Sequence, residues 1–365
     1  AYEAVTEYLG FKGEEAGKTM GLSSYGKSSN LPTIISKDFR NKELFVFEDI
    51  GGCYLPHIKE NILNFYSKKD IAWKIQDDTQ KMVGDIIEEA VKKTNIKQVC
   101  CSGGYFLNCV TNYYLAKRFP DIKFYFEPIS NDAGTSIGAA KLVWYEKTQD
   151  TTIHPQKTLY YGPKYSNKKL KKQIKKFQNM FNPYKITSEQ VAKLISERNI
   201  VCIFQGRSEA GPRALGNRSI LYDPTDPNGK DFVNKVKKRE WFRPFAGTVL
   251  LEKANEWFDM AGLEESPFMM YAMDVWPDKQ EIIKAITHVD GTCRIQTVTE
   301  EQNPHYYKLI QEFEKITGVP ILFNTSFNLA GDPLVETIED ALETMLKSEM
   351  KYMYVPELGY LLEKK

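Results

Sequence analysis

Two loops in the second half of the chain concentrate positive charge among glycines, prolines and aromatic residues. The stretch GRSEAGPRALGNRS (206–219) contributes three cations, Arg207, Arg213 and Arg218. The stretch NKVKKREWFRPFAG (234–247) contributes five, Lys235, Lys237, Lys238, Arg239 and Arg243. A solvated helix face would interleave opposite charges, whereas guanidinium groups among glycines and aromatics suit the capture of phosphate or carboxylate. The pattern therefore predicts an anion site, with a solubilising surface as the alternative.

Two further polar loops offer side chains that could act on a bound anion. THVDGTCRIQTV (287–298) contains His288 and Arg294, and NTSFN (324–328) contains Asn324, Ser326 and Asn328 at the end of an apolar strand. Open α/β sheets place ligands at such strand ends. His288 could be a general base or a structural residue. A P-loop is not expected, because Asn217 occupies the position of the Walker lysine.

Glycine loops in the first half have the placement of phosphate-binding loops. Gly103 and Gly104 follow a short β-rich run and precede a helical pattern. Glycine lets the backbone approach a phosphate, and a helix start offers free N–H groups. A tight strand-to-helix turn is the structural alternative. Asp132 likewise lies in a loop between a predicted strand and a predicted helix. Its carboxylate could bind a metal ion or a ribose, or it could cap the helix.

The elements that position these loops alternate between helix and strand. Apolar spacing predicts a helix over 80–94, strands over 98–101 and 122–126, a helix beginning at 187 or 188, a strand over 200–204, a helix that starts at Asn303-Pro304 and stops at Gly318, and a strand over 319–323. This alternation is typical of α/β layering. A polar stretch at 147–163 predicts a linker, and a lysine-rich helix over 164–176 follows it.

Composition limits the class of protein. The chain has 365 residues, 42.0 kDa and a net charge of +1, which suits about two domains and no general nucleic-acid-coating role. No apolar run approaches the length of a membrane span, and the first residues lack the pattern of a signal peptide. The six cysteines form no CxxC motif. We expect buried thiols in a cytoplasmic protein.

Seven blocks together resemble the O-carbamoyltransferase family of the nodulation and antibiotic-tailoring type. They are GEEAGKTMGLSSYGK (13–27), SGGYFLN (102–108), NDAGTSIGAA (131–140), GRSEAGPRALGNRSILYDP (206–224), NKVKKREWFRPFA (234–246), HVDGTCRIQTV (288–298) and TGVPILFNTSFNLAGDP (317–333). They occur in the family's order and span nearly the whole chain.

The resemblance implies an α/β chain in two parts. Residues 1–158 would be the later part of a Kae1-like domain with the actin/Hsp70/sugar-kinase fold, and residues 159–365 would be a YrdC-like domain. In such enzymes the YrdC-like domain forms carbamoyladenylate and pyrophosphate from carbamoyl phosphate and ATP. The Kae1-like domain then passes the carbamoyl group to a hydroxyl of a small molecule. The implied metals are Mg²⁺ with ATP and an Fe or Zn ion at the transfer site.

The resemblance also implies roles for residues that match the family's motifs. Lys237, Arg243, Arg213 and Ser326 would be catalytic, because they hold the reactants and neutralise charge as pyrophosphate leaves. Arg239, Arg218, Asn324, Asn328, Arg294 and His288 would bind carbamoyl phosphate and ATP. Gly103, Gly104, Asn108 and Lys18 would bind nucleotide in the Kae1-like part, and Asp132 would bind metal.

One departure concerns the metal. The family's first lobe precedes GKTMGLSSYG and carries paired histidines, but no HxxxH motif is present, and His57 and His154 match no metal motif. The chain begins at Ala1, and we expect a partner chain or a missing segment to supply that lobe. A proteolysed chain and a degenerate homologue are the alternatives, and a homodimer is another possible assembly. A lone half of an actin-like domain would expose apolar surface, which invites a partner.

Two other functions stay open. Carbamoylation or threonylcarbamoylation of a macromolecule such as tRNA has only the lysine-rich helix in its favour, and the near-neutral net charge makes a nucleic-acid partner unexpected. The other is a non-catalytic subunit that binds nucleotide and holds a partner. Five convergent cations argue against that role, because a scaffold does not need them.

Overall fold

A computed structural model describes residues 1–27, 30–35, 64–152 and 154–365. Helices in these residues are α1 (Tyr2–Tyr8), α2 (Ala16–Ser23), α3 (Lys68–Thr94), α4 (Cys109–Arg118), α5 (Thr135–Thr148), α6 (Asn167–Lys176), α7 (Ser188–Ser196), α8 (Gly229–Val236), α9 (Ala254–Trp257), α10 (Pro304–Thr317) and α11 (Ile338–Leu346). Strands are β1 (Gln98–Cys101), β2 (Lys123–Phe126), β3 (Phe181–Lys185), β4 (Val201–Phe204), β5 (Arg218–Tyr222), β6 (Ala246–Leu250), β7 (Ala272–Asp274), β8 (Thr292–Val298), β9 (Ile321–Ser326), β10 (Tyr352–Val355) and β11 (Tyr360–Lys364). The predicted α/β class is confirmed.

The strands form two sheets. β1 and β2 pair in parallel, and the other nine strands form one mixed sheet in the order β3-β11-β10-β4-β5-β9-β6-β8-β7. Within the larger sheet, β10 with β4 and β6 with β8 are parallel pairs, and the remaining neighbours are antiparallel. Apolar residues of the central strands, including Ile203, Phe323 and Ile295, are fully buried in the main core.

The longest helix begins well before its predicted start. The sequence predicts a helix over 80–94, but α3 starts at Lys68, where the Ser67 side chain accepts a hydrogen bond from the Asp70 N–H. The first half of α3 buries polar side chains among its apolar ones, and Gln76 donates to Thr111 across 3.1 Å. Apolar spacing alone therefore misses the beginning of this helix.

Several second-half elements agree with their sequence signals. Thr187 caps α7 and forms a capping box with Gln190, and Asn303 caps α10 by accepting from the Tyr306 N–H. Gly318 ends α10 with a positive φ of 75°, a conformation that glycine adopts without steric cost. β5 begins where the sequence predicts a loop. It starts at Arg218, inside the cation-rich stretch 206–219 that is predicted to be a loop.

The two predicted parts of the chain are in contact. In α4, Asn112 donates to the carbonyl of Met270, and Lys117 pairs with Asp274 at 2.5 Å. One apolar cluster includes buried residues of β1, β2 and α4 as well as those of the nine-stranded sheet. The predicted boundary between residues 158 and 159 stays a prediction.

The predicted burial of the cysteines is mostly confirmed. Cys101, Cys109, Cys202 and Cys293 are buried free thiols, whereas Cys100 is exposed on β1. Cys53 lies outside the described residues, and so does His57. None of the helices in the described ranges combines the length and apolar character needed to cross a membrane.

Candidate functional site

A cavity of about 830 Å³ brings the cationic loops and the strand ends together. Predicted site residues that line it are Arg213, Arg239, Arg243, Arg294, Asn324, Ser326, Gly104, Asn108 and Asp132. They come from both halves of the sequence, and the residues from 206 onwards lie on two loops and two strands. We call Arg213, Arg239, Arg243 and Arg294 the arginine cluster.

Strand pairing builds the floor of this cavity. Asn324 on β9 pairs with Ala246 on β6, and Ala246 pairs with Arg294 on β8. Paired residues in adjacent strands project from the same face, and alternate residues along a strand share that face. Asn324, Ser326 and Arg294 therefore lie on one face, and the small side chain of Ala246 leaves space between Asn324 and Arg294.

A buried carboxylate holds the loop that carries Arg213. Glu209 Oε1 accepts hydrogen bonds from the backbone N–H groups of Leu215 at 2.7 Å, Asn217 at 2.8 Å and Arg218 at 3.2 Å. Burial raises the pKa of Glu209, against the lowering effect of these N–H donors. The Arg213 guanidinium donates through Nη2 to the carbonyl of Leu107 at 3.0 Å, which ties this loop to the first half of the chain.

The second cationic loop presents Arg239 and Arg243. The Arg239 guanidinium stacks 4.0 Å from the ring centre of Phe245 and donates to Asn234 Oδ1 at 2.5 Å. It also donates to the carbonyl of Pro244 at 2.9 Å. The hydrogen bonds hold one edge of the Arg239 guanidinium, and the Phe245 ring holds its planar face. A guanidinium fixed in this way is well oriented to bind an anion through two N–H groups.

The arginine cluster concentrates positive charge in the cavity, whose lining also includes Glu3 and Glu14. Within the described ranges, no carboxylate lies within ion-pairing distance of any of its four guanidinium groups. Burial and then Arg294 lower the pKa of Arg213 to about 9. Burial, followed by Arg243 and Arg294, lowers the pKa of Arg239 to about 9. Burial also lowers the pKa of Arg243. A bound anion would relieve this electrostatic cost.

A carboxylate next to the cluster is ion-paired with a lysine. Lys18 pairs with Glu15 at 2.7 Å and with Glu240 at 2.6 Å. Glu240 lies in the same loop as Arg239 and Arg243, and its charge raises the pKa of both against the effect of burial, but its direct ion pair is with Lys18. Lys18 does not line the cavity, so its contacts fit loop positioning more directly than the predicted nucleotide binding.

Lys237 lies beneath the cavity wall rather than on it. Its buried ammonium donates to the carbonyl of Ser326, to the carbonyl of Asn328 at 2.8 Å and to Asn328 Oδ1 at 2.9 Å. Burial, and next the charge of Arg239, lowers the pKa of Lys237, but these three acceptors require three N–H donors. Lys237 therefore fixes the NTSFN turn, in which the Ser326 hydroxyl donates to Asn328 Oδ1 at 2.7 Å.

Two other predicted ligands are held by the protein itself. Arg218 is fully buried, lies 3.7 Å from the ring centre of Phe204 and donates to the carbonyl of Gln205 at 2.5 Å. His288 forms hydrogen bonds at 3.1 Å with the carbonyl of Phe245 and with Thr292, and burial lowers its pKa. Neither residue lines the cavity, so both support the loops around it.

The first-half glycine loop also reaches the cavity. Gly103 has a positive φ of 104°, and Gly104 begins a short 3₁₀ helix that ends at Leu107. A methyl group added at either glycine would meet no atom within 4 Å, so neither glycine is required by packing. Asn108 caps α4 through Thr111 and bonds to Gln76, so its side chain also has a structural role.

The described residues do not form a complete metal site. Asp132 lines the cavity and is exposed, but no group of three His, Cys, Asp or Glu side chains in the described ranges could hold a metal ion. Asp132 alone does not fit the donor set that an Fe or Zn ion needs. The metal therefore stays a prediction, and no chemical step here passes through it.

Three residues near the site are missing from the sequence-based prediction. Glu209 anchors the Arg213 loop, while Thr248 and Gln296 are buried polar side chains on β6 and β8. The sequence contains a signal for each of these residues. Glu209 is the one acidic residue in the cation-rich loop 206–219, and Thr248 and Gln296 are polar residues within apolar strands. Polar groups inside such strands need partners, and that need points to a buried network.

The sequence matches a known family in two blocks. Residues 1–141 match the family described as Carbamoyltransferase N-terminus, and residues 192–364 match the one described as Carbamoyltransferase C-terminus.

Individual relatives extend this match over most of the chain. An uncharacterized protein of Methanocaldococcus jannaschii is 34% identical over 100% of this chain and 61% of its own length. Nodulation protein NolNO of Sinorhizobium fredii is 33% identical, over 100% of this chain and 55% of its own length. Nodulation protein NolO of Bradyrhizobium diazoefficiens is 32% identical, over 97% of this chain and 67% of its own length. The chain thus spans between 55% and 67% of these three relatives.

A solved structure shows a weaker likeness. The crystal structure of full-length HypF in the phosphate- and nucleotide-bound form aligns with a TM-score of 0.33 and 18% identity, over 46% of this chain and 21% of that chain. This likeness is too weak to argue from.

Proposed function

The chain belongs to the carbamoyltransferase family, and from that premise we propose that it is an ATP-dependent O-carbamoyltransferase. Carbamoyl phosphate, ATP and one water would give carbamoyladenylate, pyrophosphate and inorganic phosphate. The carbamoyl group would then pass to the hydroxyl of a small acceptor, releasing AMP. Both starting compounds are intracellular metabolites, which, with the free thiols, supports a cytoplasmic location.

The observation that carries this proposal is the arginine cluster. Four guanidinium groups line one cavity, and no carboxylate of the described residues pairs with them. Burying several like charges is costly unless an anion joins them. Carbamoyl phosphate and ATP are both small polyanions, so each supplies the missing negative charge.

The residues would act mainly through position and charge. Arg213, Arg239, Arg243 and Arg294 would bind the phosphate oxygens, and their charge would stabilise the pyrophosphate as it leaves. Lys237 would act through Ser326, because its contacts fix the turn that places that hydroxyl beside the cavity. Phosphoryl and nucleotidyl transfer depend largely on such positioning.

The carbamoyl-transfer step is supported by the residues that share the cavity. Gly104, Asn108 and Asp132 from the first half line the same space as the arginine cluster. A carbamoyladenylate formed beside the arginines would therefore reach the first-half loops within the same cavity. We assign the acceptor hydroxyl to that region of the cavity.

The test is exchange of labelled pyrophosphate into ATP, measured with and without carbamoyl phosphate. We expect exchange only with carbamoyl phosphate, and a fall of at least about a hundredfold in Arg243→Ala, because one charged contact to the leaving group is typically worth that much. Arg207→Ala is the matched control, since Arg207 is exposed and donates to the carbonyl of Gly162 instead of facing the cavity.

Two results would contradict the proposal. Exchange that persists unchanged in Arg243→Ala would remove the arginine cluster from the reaction. ATP binding by calorimetry without any effect of carbamoyl phosphate would favour a non-catalytic nucleotide-binding subunit.

A further inference from the structure

Building on the proposed function, we infer that Asn324 selects the carbamoyl group by accepting a hydrogen bond from its NH₂. Asn324 is fully buried on β9, yet it lines the cavity beside the arginine cluster. Its carbonyl oxygen, Oδ1, is buried and has no hydrogen-bond partner among the described residues. An unpaired buried acceptor is costly to keep, and a ligand N–H would satisfy it.

The amide nitrogen of Asn324 is already committed. Nδ2 donates to the carbonyl of Ala214 at 3.3 Å, to Thr248 Oγ1 at 3.0 Å and to Gln296 Oε1 at 3.3 Å. These acceptors come from the Arg213 loop and from two neighbouring strands. The side chain is therefore held in place by three different elements.

The neighbouring network also fixes which end of the amide is the acceptor. Gln296 donates through Nε2 to the carbonyl of Leu215 at 3.0 Å, so its Oε1 faces Thr248, which donates to it at 2.9 Å. With Gln296 Oε1 and a backbone carbonyl as partners, Asn324 must present Nδ2 to them. Its Oδ1 is thereby left as an acceptor.

A buried acceptor is the group that the arginine cluster cannot provide, and among the described lining residues Asn324 Oδ1 and Asn131 Oδ1 are the two such side-chain oxygens without a partner. The arginine cluster supplies only donors, which suit phosphate oxygens but repel an amide NH₂. Ser326 is the second polar residue on the same strand face, and its hydroxyl proton is given to Asn328. Ser326 could accept a bond as well, so the experiment has to separate these two residues.

The inferred bond gives the site a way to distinguish carbamoyl phosphate from acetyl phosphate. Acetyl phosphate has the same shape and charge, but a methyl group replaces the NH₂ and leaves Oδ1 unpaired. A site built to bind an N–H rejects the analogue that lacks it more strongly than a purely steric site can. We expect a preference of about ten- to a hundredfold for the carbamoyl ligand.

The experiment compares three ligands by calorimetry on the full chain. Phosphonoacetamide and acetonylphosphonate replace the two acyl phosphates, because their methylene groups resist hydrolysis, and inorganic phosphate is the third ligand. In the unmodified protein the amide ligand should bind about ten- to a hundredfold more tightly than the methyl ketone. In Asn324→Ala this ratio should approach one, and any weakening that comes from the lost contact with Ala214 should lower the affinity for all three ligands alike. Ser326→Ala should keep the ratio.

The outcomes separate the failure of this inference from that of the proposed function. If none of the three ligands binds, the arginine cluster is not a phosphate site and the proposed function fails first. If phosphate binds but the amide ligand has no advantage, or if Asn324→Ala keeps the advantage, the role of Asn324 is overturned. Loss of the ratio in Ser326→Ala alone would move the role to Ser326.

A structure of the complex decides the matter if Asn324→Ala does not fold. In crystals of the unmodified protein with phosphonoacetamide, the ligand nitrogen should lie about 2.7–3.2 Å from Asn324 Oδ1. A separation beyond about 4 Å would overturn the inference.

Discussion

At the scale of single residues, the site combines cations for the phosphates with Asn324 Oδ1, a buried acceptor that has no partner among the described residues. Arg213 and Arg243 face the cavity, while Lys237 is turned inward and holds the turn that contains Ser326. These cations thus have different roles: the two arginines are available to a ligand, and the lysine stabilises the protein. Burial and hydrogen-bond partners separate these tasks, because a cation with three protein acceptors has no free donor for a ligand.

The arginine cluster should reduce the stability of the ligand-free protein. We expect Arg243→Met to raise the free energy of unfolding by about 0.5–2 kcal/mol, because the cost of desolvating this half-buried charge, together with repulsion by Arg294, outweighs its attraction to Glu240. The same substitution should reduce the stabilisation that inorganic phosphate gives. Both quantities follow from urea unfolding with and without phosphate.

The matched control for this measurement is Arg207→Met. Arg207 is exposed, so its replacement should change stability by less than about 0.5 kcal/mol. A variant at Arg243 that is less stable than the unmodified protein without phosphate would contradict the electrostatic argument.

At the scale of elements, the site depends on how loops are fastened to the sheet. The loop around Arg213 is fixed from inside by Glu209 and from the strands by Asn324 and Gln296. β9, β6 and β8 then set the spacing between Asn324 and Arg294. The positions of the residues that line the cavity therefore depend on the register of the strands as well as on the sequence of the loops.

Glu209 gives a direct test of this fastening. Glu209→Ala removes the acceptor for three backbone N–H groups and should cost at least about 1–3 kcal/mol of stability. It should also weaken phosphate binding, because the loop no longer holds Arg213. Glu209→Gln keeps Oε1 and should retain most of the affinity for phosphate, measured by calorimetry.

Glu256→Ala is the comparison for this pair of variants. Glu256 is exposed and, among the described residues, forms an ion pair with Lys253 in a surface contact, so its loss should be nearly neutral. If Glu209→Ala matched this control in both stability and phosphate affinity, the positioning role would be wrong.

At the scale of the whole molecule, one surface stands out as apolar and uncovered. Helix α5 has no buried residue, and Leu142 and Trp144 on it are 57% and 60% exposed. Val143 and Tyr145 add to the same exposed segment. A contiguous apolar patch on a protein surface favours association with another protein surface.

We expect the isolated chain to associate with a second copy through α5. Its native mass by light scattering should exceed 42.0 kDa, because association buries Leu142 and Trp144. Replacing both by serine should return the mass to that of one chain. Val289→Ser, at another residue that is 57% exposed, should leave the association unchanged.

A native mass of one chain for the unmodified protein would contradict this expectation. So would association that persists in the double serine variant, since it would place the contact elsewhere.

The α/β class, the family and several of the helices and strands could be predicted from the amino-acid sequence alone. Local signals carried these predictions: Thr187 and Asn303 are strong caps, Gly318 stops a helix, and β1 is a compact apolar run. Family motifs and cationic loops likewise identified the residues of the arginine cluster. Such features depend on neighbours in the sequence, and the sequence records them directly.

Which of the predicted site residues share a cavity depends on contacts that are distant in sequence. Arg218 and Arg213 lie in one loop motif, but Arg218 is buried and donates to backbone carbonyls through Nε and Nη1, while Arg213 reaches the cavity. The roles of Glu209 and Asn324 become visible only from their hydrogen bonds, which hold the Arg213 loop and fix the orientation of the Asn324 amide. Burial and hydrogen-bond partners arise between residues distant in sequence, so side-chain type and spacing alone could not assign these roles.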